Sequence, residues 1–412
     1  MLYSELKKAS KCPGTTLVYA FLLLATQIHV TVLAQPCDIE STVKCEPPKT
    51  EATAPANERE GPTLRTRVRL YGSFESIHPP EFAMDDSRLN DAYVRRADLT
   101  FRGSLMEDVG YYTKAEFNEA EFDVRDIYLS YENDLGLFML GLVDPIDEAV
   151  DPAHREFMES AAMEDFAPGN QLGLGYFREG ENWLFFAGAF KDRVDVNTIE
   201  DTGVVYSTRF TIAPHVPEGY LLHIGGYASW REAGKGNELF RYSVSSMLRK
   251  GENYLDTGRI ADEEGLAGIE LGLNIGSASF DGQCAVVRAS VPLVRSSSYL
   301  NGCYIAGIWT LTGEARYYGG DGFTLLRPKT SVFDGGPGPG AWQIGVRYDT
   351  IDLSDGAIQG GGQNTWTYSL NWFLTGKLWL SANYSTATLE GNAFDGNKTD
   401  GWGARVQYII EW

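Results

Sequence analysis

Histidine and cysteine are scarce in this chain, five of each in 412 residues, and no CxxC pair or His/Cys cluster occurs. No metal site and no cofactor are therefore implied. The histidines beyond residue 34 are His78, His154, His215 and His223, and none joins a Ser/His/Asp set on a motif such as GxSxG. The sequence thus offers no catalytic constellation, and an enzyme is not expected. Basic residues are also short: 35 Lys and Arg against 56 Asp and Glu give a formal charge of −21. Such a balance excludes nucleic acid as a partner. Long apolar runs are missing after the first 34 residues, and mean hydropathy is −0.23. That excludes a helical membrane bundle in the mature chain. It leaves open a transmembrane barrel, whose strands are only half apolar.

Glycine (45), tyrosine (22), phenylalanine (20) and tryptophan (9) are abundant. The length fits either two or three soluble domains or one large β structure. Residues 1–34 read as a cleaved signal peptide, with Lys7, Lys8 and Lys11 before the apolar centre LVYAFLLLA (Leu17 to Ala25) and the small-residue end VLA (Val32 to Ala34). Residues 35–63, rich in Pro, Ala and Glu, read as a periplasmic linker without hydrophobic periodicity. Residues 64–412 read as the folded body. Four cysteines remain after residue 34: Cys37, Cys45, Cys284 and Cys303. In an exported chain they fit two disulfides, Cys37 with Cys45 and Cys284 with Cys303, or tolerated thiols.

From Arg65 onward the pattern has a period of two. In GAWQIGVRYDTIDL (Gly340 to Leu353), Trp342, Ile344, Val346 and Tyr348 oppose Gln343, Gly345, Arg347 and Asp349. In GWGARVQYIIEW (Gly401 to Trp412), Trp402, Ala404, Val406, Tyr408, Ile410 and Trp412 form one greasy face. Soluble sandwiches also alternate. These strands are longer, about 10–13 residues where soluble strands average about 5–6, and carry aromatics near their ends, as lipid-facing girdles do. Strands are expected at 65–77, 93–105, 109–119, 123–132, 136–143, 170–178, 183–190, 203–213, 219–230, 266–275, 278–289, 302–314, 341–353, 364–373, 378–389 and 401–412. The even count suits a closed barrel with both termini in the periplasm, so 239–247 is assigned to a long loop. The expected fold is all-β, a transmembrane antiparallel barrel of sixteen strands.

Several stretches resemble the phosphate-selective porin O and P family: DAYVRRADLTFRGSL (Asp91 to Leu105), FMESAAMEDFAPGNQLG (Phe157 to Gly173), YLDTGRI (Tyr254 to Ile260), LTGEARYY (Leu311 to Tyr318), GAWQIGVRYDTIDL and YSLNWFLTGKLWLSANY (Tyr368 to Tyr384). The resemblance runs from about residue 65 to 412 and lies in the order and spacing of these motifs. It implies an outer-membrane porin, commonly a homotrimer, whose lumen is narrowed by the third loop, the fifth loop and a long periplasmic turn. Connections at 144–169, 231–265 and 315–340 have the required length. The alternating last strand, with Tyr408, Ile410 and Trp412, is similar to the signal read by the outer-membrane insertion machinery.

Strand parity sends Arg65, Arg67, Arg69, Arg96, Arg102 and Arg405 into the lumen as one basic wall, similar to the family's arginine ladder. Arg95 and Arg96 match its double arginine, with Arg95 on the wrong parity and expected at the rim. The plainer reading pairs these arginines with lumen carboxylates such as Glu75, Asp98 and Asp349. The third loop carries Asp144, Asp147, Glu148, Asp151, Glu156, Glu159, Glu164 and Asp165 against Arg155 and His154. Asn170 follows APG where the family usually has arginine. Asp151-Pro152 reads as the start of a short helix over 152–163. The expected constriction is an acidic loop opposite the basic wall, an arrangement that suits a general porin, often one favouring cations or zwitterions, in a passive channel for ions and small hydrophilic solutes. Two alternatives stand beside it: an anion channel for phosphate or polyphosphate, and a non-conducting adhesin or anchor. The expected partners are outer-membrane lipid, the insertion machinery and the permeating solutes.

Overall fold

The alternation closes into a wall in the computed structural model, which describes residues 62–412 apart from 81–87, 119–120, 144–155, 192–202, 215–216, 218, 235–238, 245–246, 320–321, 324–325, 334–337 and 392–394. The strands in chain order are β1 (Arg65–His78), β2 (Leu89–Met106), β3 (Val109–Asn118), β4 (Glu121–Asn133), β5 (Gly136–Val143), β6 (Gln171–Glu179), β7 (Trp183–Lys191), β8 (Val204–Ile212), β9 (Tyr220–Glu232), β10 (Phe240–Val244), β11 (Leu255–Ala261), β12 (Glu263–Ile275), β13 (Ala278–Val291), β14 (Ser296–Thr310), β15 (Ala341–Asp355), β16 (Ile358–Phe373), β17 (Leu378–Glu390) and β18 (Lys398–Glu411). Sixteen of them form one closed antiparallel barrel, while β10 and β11 pair only with each other. The barrel closes where β1 meets β18. Leu70 lies opposite Tyr408 and Val68 opposite Ile410. Trp412 exchanges backbone hydrogen bonds with Thr66 at 3.0 and 3.1 Å. Closure leaves no unpaired strand edge, the condition for strands in lipid.

The faces are inverted relative to a water-soluble sheet. Trp366, Tyr368, Leu370, Leu380, Tyr384, Trp402, Val406 and Tyr408 are exposed on the outside, while Glu270, Asp281, Gln343, Asn371 and Arg405 are buried inside. Such a surface is stable only against hydrocarbon.

Each strand expected from the sequence has its counterpart, and the differences lie at the ends. β13 to β16 extend further on the extracellular side, so that only residues 292–295 and 356–357 separate them in pairs. There the outward positions are no longer greasy, and the sequence pattern stops before the hairpin does. β14 ends at Thr310 rather than 314, because Gly313 turns at φ 90° and its amide bonds back to Thr310. Part of 239–247 is a strand, β10, but it forms a hairpin apart from the barrel wall.

Two further differences concern side-chain placement. The β1–β2 register shifts between Tyr71 and Gly72, which pair with Arg96 and Val94, so Arg95 is the bulged residue. A bulge changes which way a side chain points, and Arg95 reaches Glu159 in the lumen at 3.3 Å instead of standing at the rim. Cys284 and Cys303 face each other on β13 and β14 and are disulfide-bonded. Cys284 shares the outward parity of Phe280 and Val286, both exposed, so the bond lies on the lipid side. Cys37 and Cys45 lie outside the described residues.

Candidate functional site

Three connections enter the lumen: the third loop (156–170 as described), the β9–β12 loop carrying the β10–β11 hairpin, and the periplasmic turn 311–340. Phe157, Met158, Ala161, Met163 and Phe166 of the third loop are buried. Of the helix expected over 152–163, residues 152–155 lie outside the described residues, 156–159 are turn and bends, and the helical part of the described segment is a 3-10 turn, Ala162–Phe166. The cause is competition for carbonyls. Asn371 donates to the carbonyl of Glu156 at 2.8 Å, and Arg405 donates to that of Met158. Arg347 donates to those of Glu159 and Ser160 at 3.0 and 2.9 Å. A carbonyl held by a guanidinium is poorly placed to accept the amide four residues on. The wall also makes room for the loop. A Cβ at Gly302 would stand 2.9 Å from Cβ of Met163.

Glu156 and Glu159 of this segment meet arginine directly. Glu156 accepts a hydrogen bond from Arg316 Nη2 at 3.1 Å and lies 3.1 Å from its Nε as an ion pair, and Arg316 also holds Asp281 at 2.6 Å. Arg95 and Arg405 both pair with Glu159. Burial alone would raise the Glu159 carboxyl, but Arg95 and Arg405 outweigh it and hold it at about 2. The described part of the loop is therefore docked at Glu159 on the basic wall rather than set opposite it, which corrects the expected transverse arrangement for these residues. Opposite charges a few ångströms apart in a poorly hydrated space close the gap between them. Glu164 is half-buried and Asp165 exposed on the 3-10 turn. Asp144, Asp147, Glu148, Asp151 and Arg155 lie outside the described residues.

The other two inserts are anchored in the same manner. On the hairpin, Tyr242 donates to Glu264, which also pairs with Arg231 at 2.7 Å. Lys250 reaches the far wall, its amide on Glu75 at 3.0 Å and its Nζ on Asp91 at 3.1 Å. In the periplasmic turn, Arg316 lies over Phe323, and Tyr318 bonds His223, itself 3.3 Å from Glu270.

The remaining arginines of the expected wall meet water. Arg69 pairs with Asp98 at 2.5 Å, Arg96 with Glu116 at 3.3 Å and Arg102 with Glu411 at 2.9 Å. Their side chains are 17–27 % exposed, and the neighbouring Arg125 reaches 39 %. Arg65 is exposed and Arg67 half-buried. By contrast Arg209, Arg231, Arg316, Arg347 and Arg405 are 1–7 % exposed. Water therefore reaches the arc of β1–β4, while the inserts cover the arc of β8–β18. Arg405, expected on the basic wall, belongs to the covered arc. Lys114, 3.7 Å from Asp126, joins the open one. Parity would have found Lys114 on β3. Arg316 sits in a non-periodic turn inside LTGEARYY, and nothing in its spacing marks it as a lumen residue.

Comparison with known proteins agrees with this fold. The family model described as Phosphate-selective porin O and P matches residues 65–410. An uncharacterized protein of Caulobacter vibrioides is 26 % identical over 345 residues, covering 80 % of this chain and 69 % of that one. Among solved structures, the anion-selective porin from Comamonas acidovorans superposes with a TM-score of 0.57 at 11 % identity, covering 85 % of this chain and all of that one. OmpT of Vibrio cholerae, an outer membrane protein in trimer form, gives a TM-score of 0.56 at 10 % identity, with coverage of 85 % and 100 %. At these identities the superpositions speak for the fold alone.

Proposed function

The chain belongs to the phosphate-selective porin O and P family and is an outer-membrane channel rather than an enzyme, and we propose that it is a passive, water-filled pore that favours small anions. The observation that carries this reading is the uneven access of water to arginine. Basic side chains on β1–β4 stay partly hydrated, whereas Glu156 and Glu159 are held by Arg316, Arg95 and Arg405. Glu159, in contact with two guanidiniums, and Glu156, buried against Arg316, present little negative potential to a passing ion, so selectivity falls to the open basic arc. The succession Arg65, Arg67, Arg69 beside Arg102 gives an anion consecutive sites, and Arg69 and Arg102 are weak enough to leave because each is shared with a carboxylate.

The same succession favours a narrower reading, a phosphate-preferring pore, since guanidinium groups fork onto phosphate oxygens. Assembly as a homotrimer fits the exposed apolar outer face and the trimeric form of Vibrio cholerae OmpT. Insertion by the outer-membrane assembly machinery fits the greasy last strand that seals the barrel. The test is the reversal potential of purified protein in planar bilayers under a KCl gradient. A potential on the chloride side of zero is expected, and inorganic phosphate blocking chloride current would narrow the reading further. A cation-side potential would overturn the anion preference, and absence of conductance would overturn the channel.

A further inference from the structure

The inside of a water-filled barrel is ordinarily polar. Three consecutive strands here break that rule. The register carries lumen parity from Arg209 on β8 to Phe186 on β7, Phe177 on β6 and Leu137 on β5. Along the same faces stand Met139, Val143 and Phe190. The outward positions of these strands are apolar as well, with Leu140, Leu172 and Leu174 exposed to lipid. A register slip would only exchange one greasy face for another, so the inner one is not a by-product of satisfying lipid.

The inner face is built with some care. Val143, Phe186, Phe190 and Val205 pack into one apolar cluster, with Tyr128, Met139 and Phe177 as its half-buried rim. The Phe186 and Phe190 rings are parallel within 11°, and Phe190 lies flat over Gly188, where a Cβ would stand 2.3 Å from the ring. The rim abuts the open basic arc. Arg102, Tyr112 and Tyr128 are successive register partners on β2, β3 and β4, and the two tyrosine rings stack at 5.2 Å. Lys114 stands on the same inner face of β3.

From this juxtaposition we propose that the pore favours amphipathic anions, small organic anions with an aromatic or aliphatic body and one charged end. The charged end passes over Arg102 and Lys114, while the body slides along Tyr128, Met139 and Phe177. A rim serving only to pack the wall has no reason to stay half-open beside cations. A solute that covers it removes apolar surface from water without leaving its charge unpaired. This inference rests on the channel reading and adds a solute class to it.

The test uses the purified full-length protein in planar bilayers, with bi-ionic reversal potentials for benzenesulfonate against methanesulfonate. Both are fully ionised, and they differ only in the body. The larger ion diffuses more slowly in free solution, so its expected preference in the pore is opposite to its mobility. One aromatic contact supports a preference of about fivefold. Phe177→Ser should lower that preference with KCl conductance intact. Lys114→Gln should lower permeation of both sulfonates together and serves should Phe177→Ser fail to insert. A wild-type ratio at or below the mobility ratio, with normal KCl conductance, would overturn the solute class and leave the channel standing. Absence of KCl conductance would overturn both.

Discussion

Arg102 on β2 and Arg316 in the periplasmic turn carry the same guanidinium, yet 17 % of one side chain and 1 % of the other is exposed. The difference separates the open arc of the wall from the inserts and the arc they cover. Along β8–β18 the inward residues lie under the third loop, the hairpin and the periplasmic turn, and their arginines hold carboxylates and carbonyls in place. Along β1–β4 the inward arginines keep contact with water and stay available to a passing ion, although the carboxylates between them, Asp98 and Glu116, are buried. One residue type thus builds the constriction on one side and lines the passage on the other. What decides is how many acceptors the neighbouring insert brings to it.

The comparison breaks most severely at Arg316. Arg316→Ala leaves Glu156 and Asp281 buried without their cation, and losing one partner of a buried pair costs about 3–5 kcal/mol. Thermal unfolding in detergent should fall accordingly, and single channels should become noisy as the third loop loosens. Acidification should act next. The Glu159 carboxyl is held at about 2 when docked and relaxes to about 4.3 when free, so docking gains about 3 kcal/mol from its ionisation. Because the docked value is the lower one, that gain is complete above about pH 4.3 and is lost as pH falls toward 2. Conductance should be steady from pH 7 to 5 and fluctuate below about 4. A third change acts by crowding. Gly302→Leu pushes against Met163 and should cost about 1–3 kcal/mol, seen in the same unfolding assay. The smallest effect on stability belongs to the open arc. Arg102→Gln should alter it by no more than about 0.5 kcal/mol and yet move the KCl reversal potential toward cations.

Much of the architecture was legible in the sequence because lipid enforces it. Trp342, Ile344, Val346 and Tyr348 must all face hydrocarbon, and that alone fixes the parity of Gln343, Arg347 and Asp349. The same logic places Arg69 and Arg96 in the lumen. It fails at Arg95, because a bulge has no signature in hydropathy, and the shift at Tyr71/Gly72 is visible only in the pairing. It fails again for the third loop. The wealth of carboxylates was plain, but whether Glu159 faces arginine across water or touches it depends on the depth of Gly302 and the reach of Arg347. Neither is written in a local pattern. The apolar inner face of GLFMLGLV, QLGLGYF and WLFFAGAF looks in sequence like three ordinary buried strands, and only the barrel reveals that one of their faces belongs to the pore.

Cysteine scanning of the two arcs probes the passage most directly. Lys114→Cys places a thiol on the open arc, and Thr367→Cys places one on the covered arc, where Thr367 is 4 % exposed. A charged methanethiosulfonate reagent added to an open channel should change the current stepwise in the Lys114→Cys protein and leave the Thr367→Cys protein unaltered. Rapid modification at 367 with none at 114 would place the passage on the other side of the barrel and contradict the account.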